Sequence, residues 1–582
     1  MAKVWRIFPH DADRIASLQR AVGVPAVVAQ LLISRGNADV NSARTFLDPR
    51  LSALRPPEEL PGCAQAAERL YEAVRARRPI VVFGDYDVDG MTATAVLARC
   101  LRMLGGQVTT YVPHRIDEGY GLSVESLQTL AAQGASLVVT VDCGINALAE
   151  AEAAAEAGLE LIVTDHHQPG AQLPRASAVV HPALPGARYP FPWLSGVGVA
   201  FKLAWAVAQK ASEGRRVSPE MRDFLMQAVG LAALGTVADV VPLLDENRIL
   251  VRHGLVSLLK SPVLGIAELL RAAGLQKSES LTGEHLAYEL APRLNAVGRL
   301  GQPQLGLELL LTDKPARAAE LADYIHRLNE SRKTIQESIR RAAVKQIKER
   351  FDPENDAAFV LADYQWHPGV IGIVAGALAE KYQRPVALIS LDPARARAGI
   401  GSARCGAAGV SLIEALAEAG SFLLRFGGHA EAAGFRIDER QIDAFRAAFV
   451  DAVAARTAGL SKTAELRIDA ETPLGGVTTE VVQQIEMLAP FGAGNARPVL
   501  CASRVRLAEP PKPLGKTGDH LQLRVEQDGV RLRAVAFRAA DWLAELSGLD
   551  QPIDVAFEPQ ISTFGGGRRV ELRLVDWRRC VC

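Results

Sequence analysis

Neither sign of charge is in excess along this chain: 65 Lys and Arg stand against 66 Asp and Glu, a formal net charge of −1 over 582 residues. Global basicity therefore does not announce a polyanionic partner, although a local basic groove is compatible with this balance. Cysteine is scarce as well. The seven present (Cys63, Cys100, Cys143, Cys405, Cys501, Cys580 and Cys582) form no short C-x-x-C pair and no ladder, which fits a reducing cytoplasm and reads Cys580 and Cys582 as a free tail. Aromatic residues make up 5%. No segment is an uninterrupted membrane span, and the opening MAKVWRIFPHDADR has no signal-peptide-like apolar stretch, so a cytoplasmic protein with no membrane partner is expected. A phosphate-binding P-loop with its Lys-Ser/Thr and an HExxH zinc helix are both missing.

What is present is length and repetition. A chain of 582 residues exceeds one ordinary core, and three or four domains are expected. Residues 1–75 read as small helices and turns. From residue 76 to 314 apolar strand-like runs alternate with helical patterns: Ile80-Val81-Val82-Phe83, then Met91 to Leu104; Gln107 to Val112, then Val124 to Gln133; Leu137 to Val141, then Ala147 to Ala157; then Leu161 to Thr164. This repetition predicts a parallel α/β sheet with its polar residues beyond the strands' carboxyl ends. Residues 315–350 predict one unbroken helix of about 50 Å at 1.5 Å per residue, suited to connect two lobes. From Arg327 to Arg350 it carries eight Lys or Arg against Glu330, Glu337 and Glu349. Such a run reads equally as a solvated face or a nucleic-acid contact. A smaller α/β lobe is expected over 351–458. Short apolar alternations over 459–582 (Leu466-Ile468, Val499–Val505, Leu521–Val525, Leu532–Phe537, Ile553–Phe557, Arg569–Val575), several separated by turns at Gly518-Asp519, Asp528-Gly529 and Gly565–Gly567, predict a five-stranded, OB-like β-barrel.

The chemistry concentrates at strand ends. GDYDVDG, from Gly84 to Gly90, places Asp85, Asp87 and Asp89 on alternate residues after an apolar run, so an extended chain would point all three carboxylates one way. Like charges at that density need a cation, or they protonate. Asp142, the run Asp165-His166-His167, and Asp239 each follow another apolar run. A single Asp at a strand end is ordinarily a turn or a cap; the recurrence is what points to a metal pair. Carboxylates with an imidazole suit Mn²⁺, with Mg²⁺ as a substitute. Asp142, alone at its strand end, is the candidate bridge, and Asp165 is placed to orient a histidine. Lone His114, His181 and His253 read as exposed or internally satisfied, and His367 as part of a structural corner.

These residues carry a resemblance. GDYDVDG, VDCG (Val141 to Gly144), TDHH (Thr164 to His167) and Asp239 resemble the four motifs of the DHH phosphoesterase superfamily. Within it the match is close to the RecJ-type exonucleases of bacteria, through APRLNAVGR (Ala291 to Arg299), WHPGVIGIVA (Trp366 to Ala375), GSAR (Gly401 to Arg404), GGHAEAAG (Gly427 to Gly434) and FGAGNARP (Phe491 to Pro498). The resemblance implies a parallel-sheet DHH domain, a connector helix, a smaller α/β DHHA1 domain and an OB-like barrel. It implies one Mn²⁺ on Asp85, Asp87 and Asp142 and a second on Asp89, Asp142, His166 and Asp239. His167 and His429 would act at the phosphate or leaving group, and Ser402 and Arg404 would hold the terminal phosphate. Arg293, Asn295 and Arg299 would contact the strand.

The implied activity is 5′→3′ hydrolysis of single-stranded DNA to 5′-mononucleotides in recombination and repair, by a monomer. A single-strand-binding protein and a RecQ-type helicase are the implied protein partners. Lys512, Lys516, Arg504, Arg506, Arg524, Arg531 and Arg533 offer charge on the barrel, where phosphate contacts should outweigh stacking. Two other readings share part of this pattern: a DHH enzyme for short oligonucleotides or small phosphate esters, and an inactive DNA-binding scaffold.

Overall fold

The computed structural model describes residues 3–114, 118–119, 121–213, 216–406, 409–457, 465–515, 518–562 and 567–580. The chain forms two compact units, one of Pro56–Asp239 with His253–Ser461, the other of Met1–Arg55, Val240–Arg252 and Lys462–Cys582.

In the first of these, β1 (Ile80–Gly84), β2 (Val108–Tyr111), β3 (Leu137–Val141), β4 (Glu160–Thr164) and β5 (Ala178–Val180) form one sheet in the order β2-β1-β3-β4-β5. Every neighbouring pair is parallel. Each residue of β1 and β3 is buried, which is why they read as continuous apolar runs rather than alternations. The chain steps from β1 outward to β2 and returns to the other side of β1 as β3. That reversal leaves a crevice beyond the carboxyl ends of β1 and β3, where α/β sheets of this kind take ligands. Three helices cover it: α1 (Val88–Met103), α2 (Gly196–Ala211) and α3 (Pro219–Ala238).

The connector is α4 (Pro315–Arg350), 36 residues without a break. Its Ile339, Ala343 and Ile347 enter the core of the second lobe beside Phe359, Trp366 and Leu388. On its surface Lys333 pairs with Glu330, Arg340 and Arg341 with Glu337, and Lys345 with Glu349. Much of the basic run is thus neutralised along the helix itself, which favours the solvated-face reading. The second lobe holds β6 (Phe359–Asp363), β7 (Val386–Ser390), β8 (Gly399–Arg404), β9 (Leu423–Gly428) and β10 (Ala432–Ile437), ordered β9-β10-β8-β7-β6. Only β6 and β7 run parallel.

The other unit is built on a barrel of β11 (Leu500–Leu514), β12 (His520–Gln527), β13 (Val530–Ala536), β14 (Ile553–Ser562) and β15 (Arg569–Arg579). Hydrogen bonding runs β11-β12-β13-β15-β14 and closes from β14 back to β11, an OB-like closure. β11 continues beyond the expected Val505 through Pro510 and Pro511; its register shifts between Glu509 and Lys512, where two residues lacking N–H donors do least harm. The alternation at Leu466-Ile468 does form a strand, but not a barrel strand. Glu465–Ile468 pairs in parallel with Val4–Ile7, so the N-terminal segment opens on a strand rather than a helix or turn. Period-two patterning marks a strand without naming its partner. The three helices that follow, Ala12–Val22, Ala26–Ser34 and Val40–Leu47, send Ile15, Leu18, Val28 and Leu31 into one core with Leu500, Leu521 and Phe557. No single described helix is long and apolar enough to cross a membrane. The Gly565-Gly566 part of one expected turn, Lys516 and Cys582 lie outside the described residues.

Candidate metal centre

Asp85 is the first residue beyond β1, but the backbone does not stay extended through the motif. Asp87 caps α1, accepting the Gly90 N–H at 3.0 Å, and Asp89 already lies in the first helical turn. Carboxylates are favoured at a helix N-terminus, and this one turns the chain at Asp87. The alternate spacing therefore does not put all three acids on one side of a strand. Asp85 and Asp87 bring ligand atoms together with Asp142, whereas Asp89 joins His166 and Asp239. Within each group these atoms lie within 4.8 Å of one another.

Asp142 ends β3 in the left-handed region (φ 64°), a conformation Asp tolerates better than most residues. It also lies with His166 and His167 in a third such group. The N-terminus of α2 closes over these acids. Gly196 and Val197 donate their N–H groups to Asp89 at 2.6 and 3.0 Å. A Cβ at Gly196 would sit 2.5 Å from Asp142 Oδ1, so only glycine lets the helix end come this near. Neither donor has a side-chain signature. The one signal in the sequence is Ser195 ahead of Gly196-Val197-Gly198, a helix cap whose hydroxyl accepts from Gly198.

The histidines divide the work. Burial and the neighbouring His167 charge hold His166 down to about 3, so it is a neutral imidazole. Its Nε2 is buried and makes no hydrogen bond, yet lies 3.1, 3.5 and 3.8 Å from oxygens of Asp142, Asp239 and Asp89. Burial would lower His167 too, but its hydrogen bond and charge pairing with Asp165 prevail and raise it to about 9. His167 Nδ1 is 2.8 Å from Asp165 Oδ1. Asp165 also accepts the N–H groups of Ile145, His166 and His167. Burial alone would raise that carboxyl, but these bonds and the His167 charge bring it down to about 2. His181 is buried and internally satisfied: Nδ1 accepts from Ala183, and Nε2 lies 2.8 Å from the His167 carbonyl oxygen. It steadies His167 from behind.

Without cations the acids cannot all ionise. Burial, then neighbouring carboxylates, push Asp89 up to about 7, Asp239 up to about 9, and Asp142 well above the usual carboxylate range. A neutral imidazole nitrogen facing three carboxylates, beside crowded acids that would otherwise take up protons, is the donor set of a divalent-metal pair. Asp85, Asp87, Asp89, Asp142, His166 and Asp239 fit Mn²⁺ or Mg²⁺ on this chemistry.

The remaining candidates fall into two places. On the helix Ala291–Arg299, the Asn295 side-chain oxygen accepts the Val88 N–H at 3.3 Å, inside the GDYDVDG motif. Arg299 donates to the Gly369 carbonyl of the second lobe at 3.3 Å. Arg293 is buried and engaged by Glu289 and by His326 Nδ1. On β8, Arg404 donates to the Ser402 hydroxyl at 2.9 Å, as residues two apart on a strand can. His429 is exposed in the β9–β10 turn, its N–H bonded to the Ala432 carbonyl. No described hydrogen bond or ion pair joins His429 to the metal-ligand candidates. His367 accepts the Gly369 N–H and turns the chain there. On the barrel, Arg524 and Lys512 pair with Glu509, Arg531 with Glu526, and Arg533 with Glu571, so this face carries less free positive charge than its composition suggests.

Comparison with known proteins agrees with this architecture. Residues 79–230 match the DHH family N-terminal domain, 355–455 the DHHA1 domain and 468–576 the RecJ OB domain. The single-stranded-DNA-specific exonuclease RecJ of Bacillus subtilis is 35% identical over 573 residues, covering 98% of this chain and 70% of its own. The chain belongs to the RecJ family. A crystal structure of RecJ from Thermus thermophilus in complex with Mn²⁺ superposes with a TM-score of 0.83 at 34% identity, covering 100% of this chain and 80% of the other. The corresponding Mg²⁺ complex gives 0.78 at 32% identity, covering 100% and 79%. RecJ relatives thus hold the two cations that the donor set selects here.

Proposed function

We propose that this chain is a metal-dependent exonuclease that degrades single-stranded DNA from its 5′ end to 5′-mononucleotides. The observation that carries the reading is the convergence of five carboxylates and the neutral His166 at the crevice of β1 and β3. Divalent ions held there supply activation of a water and neutralisation of charge on the phosphoryl group.

The protein's own groups do the rest. Asp142 is shared between the ligand sets, Asp165 keeps His167 protonated, and the His167 imidazolium donates to phosphate oxygens as negative charge builds. Ser402 and Arg404 hold the terminal phosphate by hydroxyl and guanidinium donors. His429 acts at the leaving group. Asn295 and Arg299 guide the strand past Tyr86 and Val88, and Arg293 supports them from below. The barrel contacts the backbone more than it stacks bases. The protein acts in the cytoplasm, in recombination and repair, as a monomer, with a single-strand-binding protein and a RecQ-type helicase supplying unwound substrate.

An enzyme for short oligonucleotides would need the metal centre but neither the connector helix nor the barrel. Comparing hydrolysis of 5′-phosphorylated single strands of increasing length, in DNA and RNA, tests the reading. Long DNA single strands should be the best substrates. A preference for dinucleotides would replace the exonuclease with the small-substrate enzyme, and binding without release would leave only a scaffold.

A further inference from the structure

We infer that the FGAGN segment (Phe491 to Asn495) and Val240 form a positioning clamp for Asp239, a role that rests on Asp239 being a metal ligand. Asp239 ends α3, its N–H bonded to the Gly235 carbonyl at 2.9 Å. The next residue, Val240, has φ 61°. A β-branched residue in the left-handed region is strained, and such a conformation persists only where its surroundings impose it. The Val240 side chain is 69% exposed, so side-chain burial does not impose it. The backbone on either side must.

Upstream, the end of α3 holds the chain. Downstream, it is gripped within four residues. Leu243 donates its N–H to the Ala493 carbonyl at 2.8 Å, and Asn247 Nδ2 donates to the Pro242 carbonyl at 3.0 Å. The two glycines of FGAGN lie against the same stretch: a Cβ at Gly492 would meet Leu243 Cδ1 at 2.7 Å, and one at Gly494 would meet Pro242 Cβ at 3.1 Å. Gly494 also has φ 69°, which itself requires glycine.

The segment that grips is itself rigid. Gly492 and Asn495 exchange backbone hydrogen bonds of 3.0 and 3.1 Å. The buried Asn495 side chain donates to the Leu488 and Pro490 carbonyls and accepts from Arg35 Nε. A tight, internally bonded loop therefore sets the course of Pro242-Leu243, the strained Val240 passes that constraint back, and the Asp239 carboxylate is held beside His166 Nε2. This explains a glycine-rich motif more than 240 residues from the metal ligands in sequence, and it makes Val240, Gly492, Gly494 and Asn495 positioning residues rather than catalytic ones.

The test is Mn²⁺ binding by the full-length protein, read as free Mn²⁺ by electron paramagnetic resonance, alongside thermal unfolding. Val240→Gly relaxes the joint and should weaken Mn²⁺ binding about tenfold, the usual scale for groups that orient a ligand, without lowering the unfolding temperature. Val240→Asn, which accepts the left-handed conformation, should bind like the parent. Gly494→Ala should weaken binding at least as much, and Val240→Gly decides the matter if Gly494→Ala does not fold. Parent-like Mn²⁺ binding by Val240→Gly overturns the clamp. Asp239→Asn is the control: if it binds Mn²⁺ like the parent, the ligand assignment fails, whereas its loss together with parent-like Val240→Gly sinks only the clamp.

Discussion

Stripping the metal ions should make the fold weaken as pH rises above 6.5, the reverse of what cation binding would give. In the metal-free protein, burial and then Asp89 and Asp87 hold the Asp239 carboxyl up to about 9, against 3.8 for a free carboxyl. The folded state keeps a proton that the unfolded chain has released. The stability this contributes is fully present below 3.8 and is lost as pH rises through the folded value. His166, depressed to about 3, works the other way, but only up to its unfolded value of 6.5. The window for Asp89 ends at about 7. Between 6.5 and 9 the fall is therefore governed by Asp239, with His167 adding in the same direction and discounted for its partial exposure. One proton is worth slightly more than about 1 kcal/mol per pH unit, so the window loses about 3 kcal/mol. Urea unfolding of chelator-treated protein at intervals across that range measures it directly. With Mn²⁺ present the slope should reverse, because binding then rewards deprotonation. Metal-free stability that is flat or rising from pH 6.5 to 9 would refute the packing of acids described here.

Other consequences are more local. Gly196→Ala puts a methyl about 1 Å too close to the Asp142 carboxylate, so turnover on single-stranded DNA should fall roughly 100-fold while circular dichroism stays that of the parent. Asp165→Asn removes the counter-charge of His167, whose value should drop from about 9 toward that of a free imidazole. The alkaline limb of the activity profile and the His167 ring resonances should move down together. Arg293→Ala should lower stability through lost contacts with Glu289 and His326, and unfolding should register it before DNA affinity does.

Much of this molecule is legible in its sequence because parallel strands buried on both faces are written as apolar runs. Ile80–Phe83, Leu137–Val141 and Leu161–Thr164 mark the sheet, and the acids that follow them mark its crevice. What escapes is anything the backbone supplies or distance conceals. The donors that hold Asp89 are the N–H groups of Gly196 and Val197, which no side chain advertises. Asp85, Asp87 and Asp89 look equivalent in a row of alternating residues, and only the onset of α1 at Val88 sends them to different ligand groups. Val4–Ile7 and Glu465–Ile468 pair across more than 450 residues, and neither carries a local sign of the other. The basic residues of the barrel and connector were visible, but the acids that neutralise Arg531, Arg533 and Arg340 could be assigned only once strand register and helix pairing were known.

The central claim is that Asp142 is shared by the ligand groups through which single-stranded DNA is cut. The most direct measurement is nucleotide release from 5′-phosphorylated single-stranded DNA with Mn²⁺, comparing the parent with Asp142→Ala at matched fold by circular dichroism. The account predicts 5′-mononucleotide release by the parent and none above background by the variant. Equal release by both, or none by the parent, would contradict it.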